Sequence, residues 1–193
     1  MINLFYNYYK AKTKERQKEI DFCLHKNLSN NFLNTIIIES QENLTYNFFF
    51  DTINKFSIGN DINIICNSDI FFDESIALCS SINKNECIAL SRWEYKGDNQ
   101  IKFLEREDSQ DTWIFRGFIK NIYGDFTLGK PGCDNRIAYE IEKAGYKIIN
   151  PARQIKTYHV HNSNIRNYNI KNYQSQLVPG PYKTIPISKM EIK

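Results

Sequence analysis

The fold is decided by the stretch Ile62-Asn63-Ile64-Ile65-Cys66-Asn67-Ser68-Asp69, in which an apolar run of strand length ends on polar residues and a carboxylate. Such a run predicts a buried strand whose C-terminal tip presents Asp69 to a cleft, because open α/β sheets bind ligands at the carboxyl ends of their strands. A carboxylate there is suited to hold a divalent cation against a diphosphate, since hard cations prefer oxygen ligands. The alternative is a turn or helix-capping aspartate, which is the commoner role of this residue.

The composition is that of a soluble globular protein. The chain has 193 residues, 41% hydrophobic and 24% charged, which is enough for one domain with a core. The net charge of +3 favours anionic ligands weakly, and the scattered Lys and Arg residues predict no nucleic-acid partner. No apolar run approaches the ~18 residues that a membrane span needs, and no signal-peptide pattern is present. Five cysteines without a CxxC pair predict reduced, buried thiols and a cytoplasmic location.

Strand-like and helical segments alternate along the first half of the chain. We predict strands at 2–9, 33–38, 62–66, 87–93, 113–119, 148–149 and 155–160, helices at 10–28, 45–56, 74–82 and 134–144, and a hairpin or loop at 97–109. The helix after the N-cap Thr45 is predicted to bury Phe48, Phe49, Ile53 and Phe56. This order predicts an α/β domain with a mostly parallel central sheet flanked by helices. We place the domain at residues 1–165 and a tail or linker, packed on it, at residues 166–193.

The glycines of Gly129-Lys130-Pro131-Gly132 precede a predicted helix that begins near Asp134. Glycines at this place let the backbone approach a ligand, and a helix N-terminus favours an anion or a carboxylate. Asp134 is expected to stay ionised in that field, as a general base or an acceptor of sugar hydroxyl protons should. The alternative is that Asp134 only caps its helix, and the two roles are compatible.

Two of the three histidines, His159 and His161, lie in a predicted strand at a spacing that turns both rings to the same side. One of them is suited to complete the coordination of a cation held by Asp69, or to hydrogen-bond a phosphate. Ordinary surface histidines are the alternative. A zinc site that includes Cys133 is not favoured, because its ligands are far apart in sequence and lack CxxC or HExxH spacing.

Polar residues stand beside an aromatic one in Asp108-Ser109-Gln110-Asp111-Thr112-Trp113. Carboxylates and amides next to a tryptophan suit sugar recognition, although a solvated loop has the same composition. Arg92, at the end of a predicted strand, is suited to clamp a diphosphate, with a salt-bridged edge residue as the alternative. Tyr6, Asn7 and Arg16 flank the first strand-to-helix turn, where such sheets receive a nucleotide.

The order of these motifs resembles that of the GT-A fold glycosyltransferases. The resemblance rests on Asn67-Ser68-Asp69, on His159-Val160-His161, and on the helix motif Pro131-Gly132-Cys133-Asp134-Asn135-Arg136-Ile137-Ala138-Tyr139-Glu140-Ile141-Glu142-Lys143-Ala144-Gly145-Tyr146-Lys147. It covers residues 1–165. The chain also looks like the small GT-A domains of algal giant-virus glycan proteins and bacterial surface-polysaccharide clusters, which have similar counterparts of residues 109–113 and of His161-Asn162-Ser163-Asn164.

The resemblance implies a Rossmann-like sheet and a hexosyl-type glycosyltransferase. The implied reaction moves a sugar from a nucleotide-diphosphate donor, a UDP-sugar in the simplest case, to a hydroxyl of a glycan acceptor in polysaccharide biosynthesis. The implied cofactor is a divalent cation, Mn²⁺ or Mg²⁺, held by Asp69, His159 and His161. The implied acceptor-side acid is Asp134, and we predict Asp111 as a second catalytic residue that orients the donor sugar or phosphates. From their positions in the chain, we predict that the sugar nucleotide is bound by Tyr6, Asn7, Arg16, Asn67, Ser68, Arg92, Gln110 and Trp113.

Two positions depart from the family pattern. Asn67 stands where the Asp-x-Asp motif has its first acid, and Cys133 stands where the later motif has an acid before Asp134. A single carboxylate makes a weaker cation site. Three alternatives therefore stay open: a catalytically degenerate domain that binds a nucleotide sugar or a glycan, a nucleotidyltransferase on a related fold, and a structural interaction module. The sequence makes no prediction of oligomeric state.

Overall fold

The structure is a computed structural model that describes residues 1–41, 43–163, 165 and 172–191. Its strands are β1 (Ile2–Tyr9), β2 (Asn34–Ser40), β3 (Ile62–Cys66), β4 (Ile70–Phe72), β5 (Glu86–Leu90), β6 (Trp93–Tyr95), β7 (Ile101–Phe103), β8 (Thr112–Arg116), β9 (Lys147–Ile149) and β10 (Thr157–His159). Its helices are α1 (Lys14–Leu28), α2 (Tyr46–Phe56) and α3 (Cys133–Lys143), with 3-10 helices at Glu74–Ser81 and Gln174–Gln176. The architecture is α/β in one compact domain.

The main sheet has six strands in the order β2-β1-β3-β8-β5-β9. Strand β1 pairs in parallel with β2 and β3, and β5 pairs in parallel with β9. Strand β8 lies between β3 and β5 and runs antiparallel to both. The prediction of a mostly parallel sheet is therefore wrong, and the sheet is mixed. Because β8 is reversed, its first residue, Thr112, lies opposite Cys66 and Leu90 at the ends of β3 and β5. The residues before β8 consequently share one sheet edge with the residues that follow β3 and β5.

A second sheet of four strands, in the order β4-β10-β6-β7, packs beside this edge. The strand predicted at 87–93 is in fact two strands. The first, β5, ends at Leu90 in the main sheet, and the second, β6, begins at Trp93 in the second sheet. The region predicted as a hairpin or loop at 97–109 contains only the second strand of a hairpin, because β7 pairs antiparallel with β6, which lies before it. The sequence analysis did not predict β4, whose three residues pair with the distant β10.

Apolar side chains fill both faces of the main sheet. Ile64 and Ile65 of β3 are both fully buried and belong to different clusters, because successive strand residues point to opposite faces. One cluster includes Cys23 of α1, and the other includes residues of α2 and α3. The predicted N-cap Thr45 is confirmed by its side chain, which accepts from the N–H of Phe48.

Three local predictions need correction. The helix predicted at 10–28 begins only at Lys14, because Thr13 caps it and accepts the N–H of Arg16. In α2 the buried residues are Tyr46, Phe49, Phe50 and Ile53. Phe48 and Phe56, which were predicted to be buried, are 44% and 67% exposed. The helix predicted at 74–82 is a 3-10 helix, capped by Asp73.

The described part of the predicted tail, residues 172–191, hydrogen-bonds to the domain. The N–H of Val178 donates to Pro131 O at 2.9 Å, and the N–H of Ile185 donates to Glu107 O at 2.8 Å. Ile185 is buried against the cluster that contains α3. Residues 166–171 and 192–193 of the predicted tail, and Asn164, lie outside the described residues. Within the described ranges, no helix combines the length and the apolar character that crossing a membrane requires.

Asn27 of α1 satisfies backbone groups of β4. Its Nδ2 donates to Ile70 O at 2.8 Å, and its Oδ1 accepts from the N–H of Phe72 at 3.2 Å. We expect Asn27→Ala to lower the free energy of unfolding by about 3 kcal/mol, since each unsatisfied buried group costs about 1–3 kcal/mol. Urea denaturation measures this, with exposed Asn121→Ala as the control that changes stability by less than ~0.5 kcal/mol. A loss below about 1 kcal/mol for Asn27→Ala would contradict the assignment.

Candidate functional site

The register of β10 on β4 brings two histidines to Asp69. His159 lies opposite Ile70, and the N–H of Val160 donates to the backbone oxygen of Asp69 at 2.9 Å. His159 and His161 therefore stand on either side of Asp69, with Nε2 and Nδ1 respectively at 3.2 Å and 3.5 Å from Asp69 Oδ2. One ligand atom of each of the three residues lies within 4.8 Å of the others. We call these three residues the Asp-His-His cluster.

Glu94 orients His159 and was missed by the sequence analysis. Parallel pairing of β6 with β10 sets Glu94 directly beside His159, and Oε1 lies 3.2 Å from His159 Nδ1. A carboxylate at Nδ1 directs the other ring nitrogen, Nε2, toward Asp69, as the outer partners of metal-binding histidines do. Arg92 Nε donates to the same Glu94 oxygen at 2.9 Å. The available signal was the spacing of Arg92 and Glu94, which share one strand face.

Arg16 joins the cluster from the first turn of α1. Its Nη2 donates to Asp69 Oδ2 at 2.6 Å, and its Nη1 donates to Glu19 Oε2 at 2.9 Å. Glu19 in turn accepts from the N–H and the hydroxyl of Ser163, just beyond His161. The two charged pairs are buried, so α1 fixes the chain that follows β10.

The cluster carries strong electrostatic coupling. Burial opposes the ionisation of Asp69, yet His159, His161 and Arg16 hold the pKa of its carboxyl well below the usual range. Burial also opposes the charging of His159, but Asp69 and Glu94 raise the pKa of its imidazole to about 10. A metal ion at the ring nitrogen that faces Asp69 would therefore have to displace a proton.

The cluster fits a divalent cation. Among the described residues, two buried polar atoms of the cluster and one of the adjoining Arg16 have no hydrogen-bond partner: Asp69 Oδ1, His161 Nε2 and Arg16 Nε. A carboxylate oxygen and an unprotonated imidazole nitrogen are atoms that bind cations, whereas the N–H of Arg16 is suited to an anion. Cys133 is not part of this group, since its sulfur contacts the hydroxyl of Tyr46 at 3.9 Å and Asp134 Oδ1 at 3.1 Å. The structure thus gives no support to a zinc site that includes Cys133.

Asp111 lies at the same sheet edge because β8 is antiparallel. Asn67 Nδ2 donates to Asp111 Oδ1 at 2.8 Å, and Arg92 Nη1 donates to Asp111 Oδ2 at 2.9 Å. Both carboxylate oxygens are therefore held by groups that follow β3 and β5. Asn67 acts here as an amide donor to Asp111.

Asp134 is the second residue of α3, and the hydroxyl of Ser109 lies 3.5 Å from its Oδ2. The helix N-cap is Gly132, whose φ of 75° lies in the left-handed region, so the interpretation of Asp134 as the cap is wrong. Burial and the neighbouring charge of Asp111 raise the pKa of Asp134 to about 7. The expectation that Asp134 is fully ionised at neutral pH is therefore corrected, and the carboxyl is poised to gain or lose a proton there.

These groups line one polar cleft of about 410 Å³. Ten of the predicted site residues line it: Asn7, Arg16, Asn67, Ser68, Asp69, Arg92, Asp111, Asp134, His159 and His161. Three do not. Tyr6 is buried with its hydroxyl donating to Ser68 O, Gln110 Nε2 donates to Glu107 O at 2.9 Å, and Trp113 packs in the core against Tyr46. The predicted contact of these three with a ligand has no support in the cleft geometry.

Comparison of the chain with protein-family models found no match, and comparison with curated proteins also found none. The function must therefore be argued from the cleft itself. The cleft contains two chemically distinct groups, the Asp-His-His cluster and the carboxylates of Asp111 and Asp134.

The raised pKa of Asp134 predicts a pH-dependent stability. Between about pH 4 and pH 7 the unfolded chain releases this proton while the folded chain keeps it, so the contribution of Asp134 to stability is present at low pH and lost as pH rises toward 7. Asp134→Asn mimics the protonated acid. We expect it to leave stability unchanged near pH 4 and to raise the free energy of unfolding by about 2 kcal/mol at pH 8. A fully closed site would give ~4 kcal/mol, because the pKa rises from 3.8 to about 7 and each pKa unit corresponds to ~1.4 kcal/mol. The smaller value is expected because the side chain faces the cleft.

The measurement is urea denaturation of the wild type and the variant at pH 4, 6 and 8. Exposed Asp51→Asn serves as the matched control, and its difference from the wild type should not change over this range. A difference for Asp134→Asn that is the same at pH 4 and pH 8 would show that the acid is not perturbed.

Proposed function

We propose that the protein is a glycosyltransferase with a GT-A-like fold, which moves a sugar from a nucleotide-diphosphate donor to a glycan hydroxyl. The observation that carries this proposal is the convergence, in one cleft, of a cation-type cluster and a proton-accepting carboxylate. Asp69, His159 and His161 lie at one end, and Asp134 lies in the wall formed by α3. Sugar transfer from a diphosphate with inversion at the anomeric carbon uses both functions, charge neutralisation on the leaving group and a base for the attacking hydroxyl.

The leaving-group half is built on the Asp-His-His cluster. A bound divalent cation would neutralise charge on the departing diphosphate. Two imidazole nitrogens and one carboxylate favour a first-row transition ion such as Mn²⁺ over Mg²⁺, which prefers oxygen ligands. Arg16 lines the same cleft, and its Nε–H, which has no partner among the described residues, is a donor for a phosphate oxygen.

The acceptor half is built on Asp134. A carboxyl with a pKa near 7 can take a proton from an attacking hydroxyl at neutral pH, because general bases work best near the ambient pH. Burial keeps this pKa high, and so does the negative charge of Asp111, which Asn67 and Arg92 fix. Arg92 also lines the cleft and is placed to orient donor phosphates or the sugar.

The sequence resemblance supports the same assignment, and with it a domain at residues 1–165, a UDP-sugar as donor and a role in polysaccharide biosynthesis. A cytoplasmic location is proposed from the five unpaired cysteines. Nucleic acid is not a proposed partner.

A second candidate is a domain that binds a nucleotide sugar without turnover. One observation favours it: the single acid of the cluster, Asp69, is already ion-paired with Arg16 at 2.6 Å. Turnover decides between the two candidates. A nucleotidyltransferase differs again, since it would release pyrophosphate instead of a nucleoside diphosphate.

The test is release of UDP from a panel of UDP-sugars, with Mn²⁺ and with or without simple sugar acceptors. We expect Mn²⁺-stimulated UDP release in the wild type, and a loss of at least ~100-fold in Asp69→Asn and His161→Ala, because electrostatic groups at the leaving charge contribute at this scale. Asparagine is preferred to alanine at position 69, because Arg16 would otherwise lose a buried partner entirely.

Exposed Asp125→Asn and His25→Ala are the matched controls and should keep wild-type activity. Circular dichroism checks that each variant is folded. If Asp69→Asn is not folded, the activity of His161→Ala decides the test. Binding of UDP-sugars without turnover would establish the second candidate, and full activity of folded His161→Ala would remove the cluster from the reaction.

A further inference from the structure

We propose that Arg16 couples the binding of a divalent cation at the Asp-His-His cluster to the binding of a diphosphate, an inference that rests on the function proposed above. The cation alone should bind weakly, and the diphosphate should relieve the repulsion that makes it weak. Arg16 thereby makes the site selective for the cation and the nucleotide together.

The first step is the position of the guanidinium. Arg16 Nη2 lies 2.6 Å from Asp69 Oδ2, and the two side chains are only 9% and 6% exposed. Both histidines contact the same oxygen, while Asp69 Oδ1 has no partner among the residues that the structure describes. A cation that binds the free oxygen therefore meets a fixed positive charge on the same carboxylate, in a place where screening is weak.

The second step is the alternative partner of Arg16. Its Nη1 donates to Glu19 Oε2 at 2.9 Å, and Glu19 is itself held by the N–H of Ser163 at 2.6 Å. The guanidinium therefore keeps one carboxylate partner when its contact with Asp69 is weakened. Weakening the contact between Arg16 and Asp69 therefore does not leave the guanidinium as an unpaired charge in the core.

The third step is the free N–H. Arg16 Nε is buried and without a partner within the described ranges, and the side chain lines the cleft. A guanidinium presents its N–H groups as a planar fork that matches phosphate oxygens. A diphosphate at the cluster can accept from this N–H, and its negative charge then offsets the positive charge that the cation meets.

The coupling between the cation and the diphosphate is reciprocal by thermodynamic linkage. The factor by which a diphosphate tightens cation binding equals the factor by which the cation tightens diphosphate binding. Part of it comes from direct attraction between the two ligands, and the remainder comes from Arg16. Replacing Arg16 separates the two parts.

The experiment titrates Mn²⁺ into the protein with and without UDP, with free Mn²⁺ measured by electron paramagnetic resonance. In Arg16→Gln we expect Mn²⁺ alone to bind about tenfold tighter than in the wild type, and the enhancement by UDP to fall about tenfold, within the usual range of coupling between sites. Arg16→Lys keeps the charge but loses the fork. It should bind Mn²⁺ alone as the wild type does, and show a reduced enhancement by UDP.

Lys18→Gln is the matched control, because it removes one positive charge from an exposed position of the same helix, and it should behave as the wild type. Equal enhancement by UDP in the wild type and in folded Arg16 variants would overturn the proposal. If Arg16→Gln is unfolded, Arg16→Lys decides alone. Absence of Mn²⁺ binding in every protein, with or without UDP, would also overturn it, whereas UDP release in the presence of EDTA would then show that sugar transfer proceeds without the cation.

Discussion

Antiparallel pairing of β4 with β10 sets Ile70 opposite His159, and the contacts around Asp69 follow from that register. Because side chains alternate along a strand, a slip by one residue would turn Tyr158 and Val160 toward Asp69 in place of the two histidines. The neighbouring pair β6–β10 adds Glu94 to the same row. Three backbone segments from distant parts of the chain thus meet at one carboxylate. Arg16 then ties the first helix to the result.

Local signals in the sequence were sufficient for part of the fold. β1 and β3 have the predicted bounds, and Thr45 caps α2, because each depends on residues within a few positions of one another. The reversed direction of β8 was not predictable in this way. A strand of either direction has the same apolar pattern, and the pairing partners of β8 are far away in sequence.

The same limit applies to the site. The spacing of His159 and His161 indicated a shared face, but the partner strand β4 is only three residues long and carried no distinct signal. Asp111 reaches the cleft only because β8 is reversed, so the mostly parallel sheet would have put it at the other edge. Tyr6 and Trp113 illustrate the opposite error, since aromatic residues near a predicted cleft are more often core residues.

Asn67 shows why an amide suits the position two residues before Asp69. An aspartate at this position would set a second carboxylate against Asp111, where the amide now donates a hydrogen bond at 2.8 Å. Asp69 and Asp111 therefore lie in the same cleft without a third carboxylate between them at position 67. Arg92 forms ion pairs with both Glu94 and Asp111.

The five cysteines are all free and all buried, and they are divided between the two layers of apolar side chains. Cys23, Cys66 and Cys79 belong to the layer that contains α1, whereas Cys87 and Cys133 belong to the layer that contains α2 and α3. A thiol reagent therefore reaches them only when the surrounding layer opens. Peptide mapping of the order in which they are alkylated would show which side of the sheet opens first, without any introduced label.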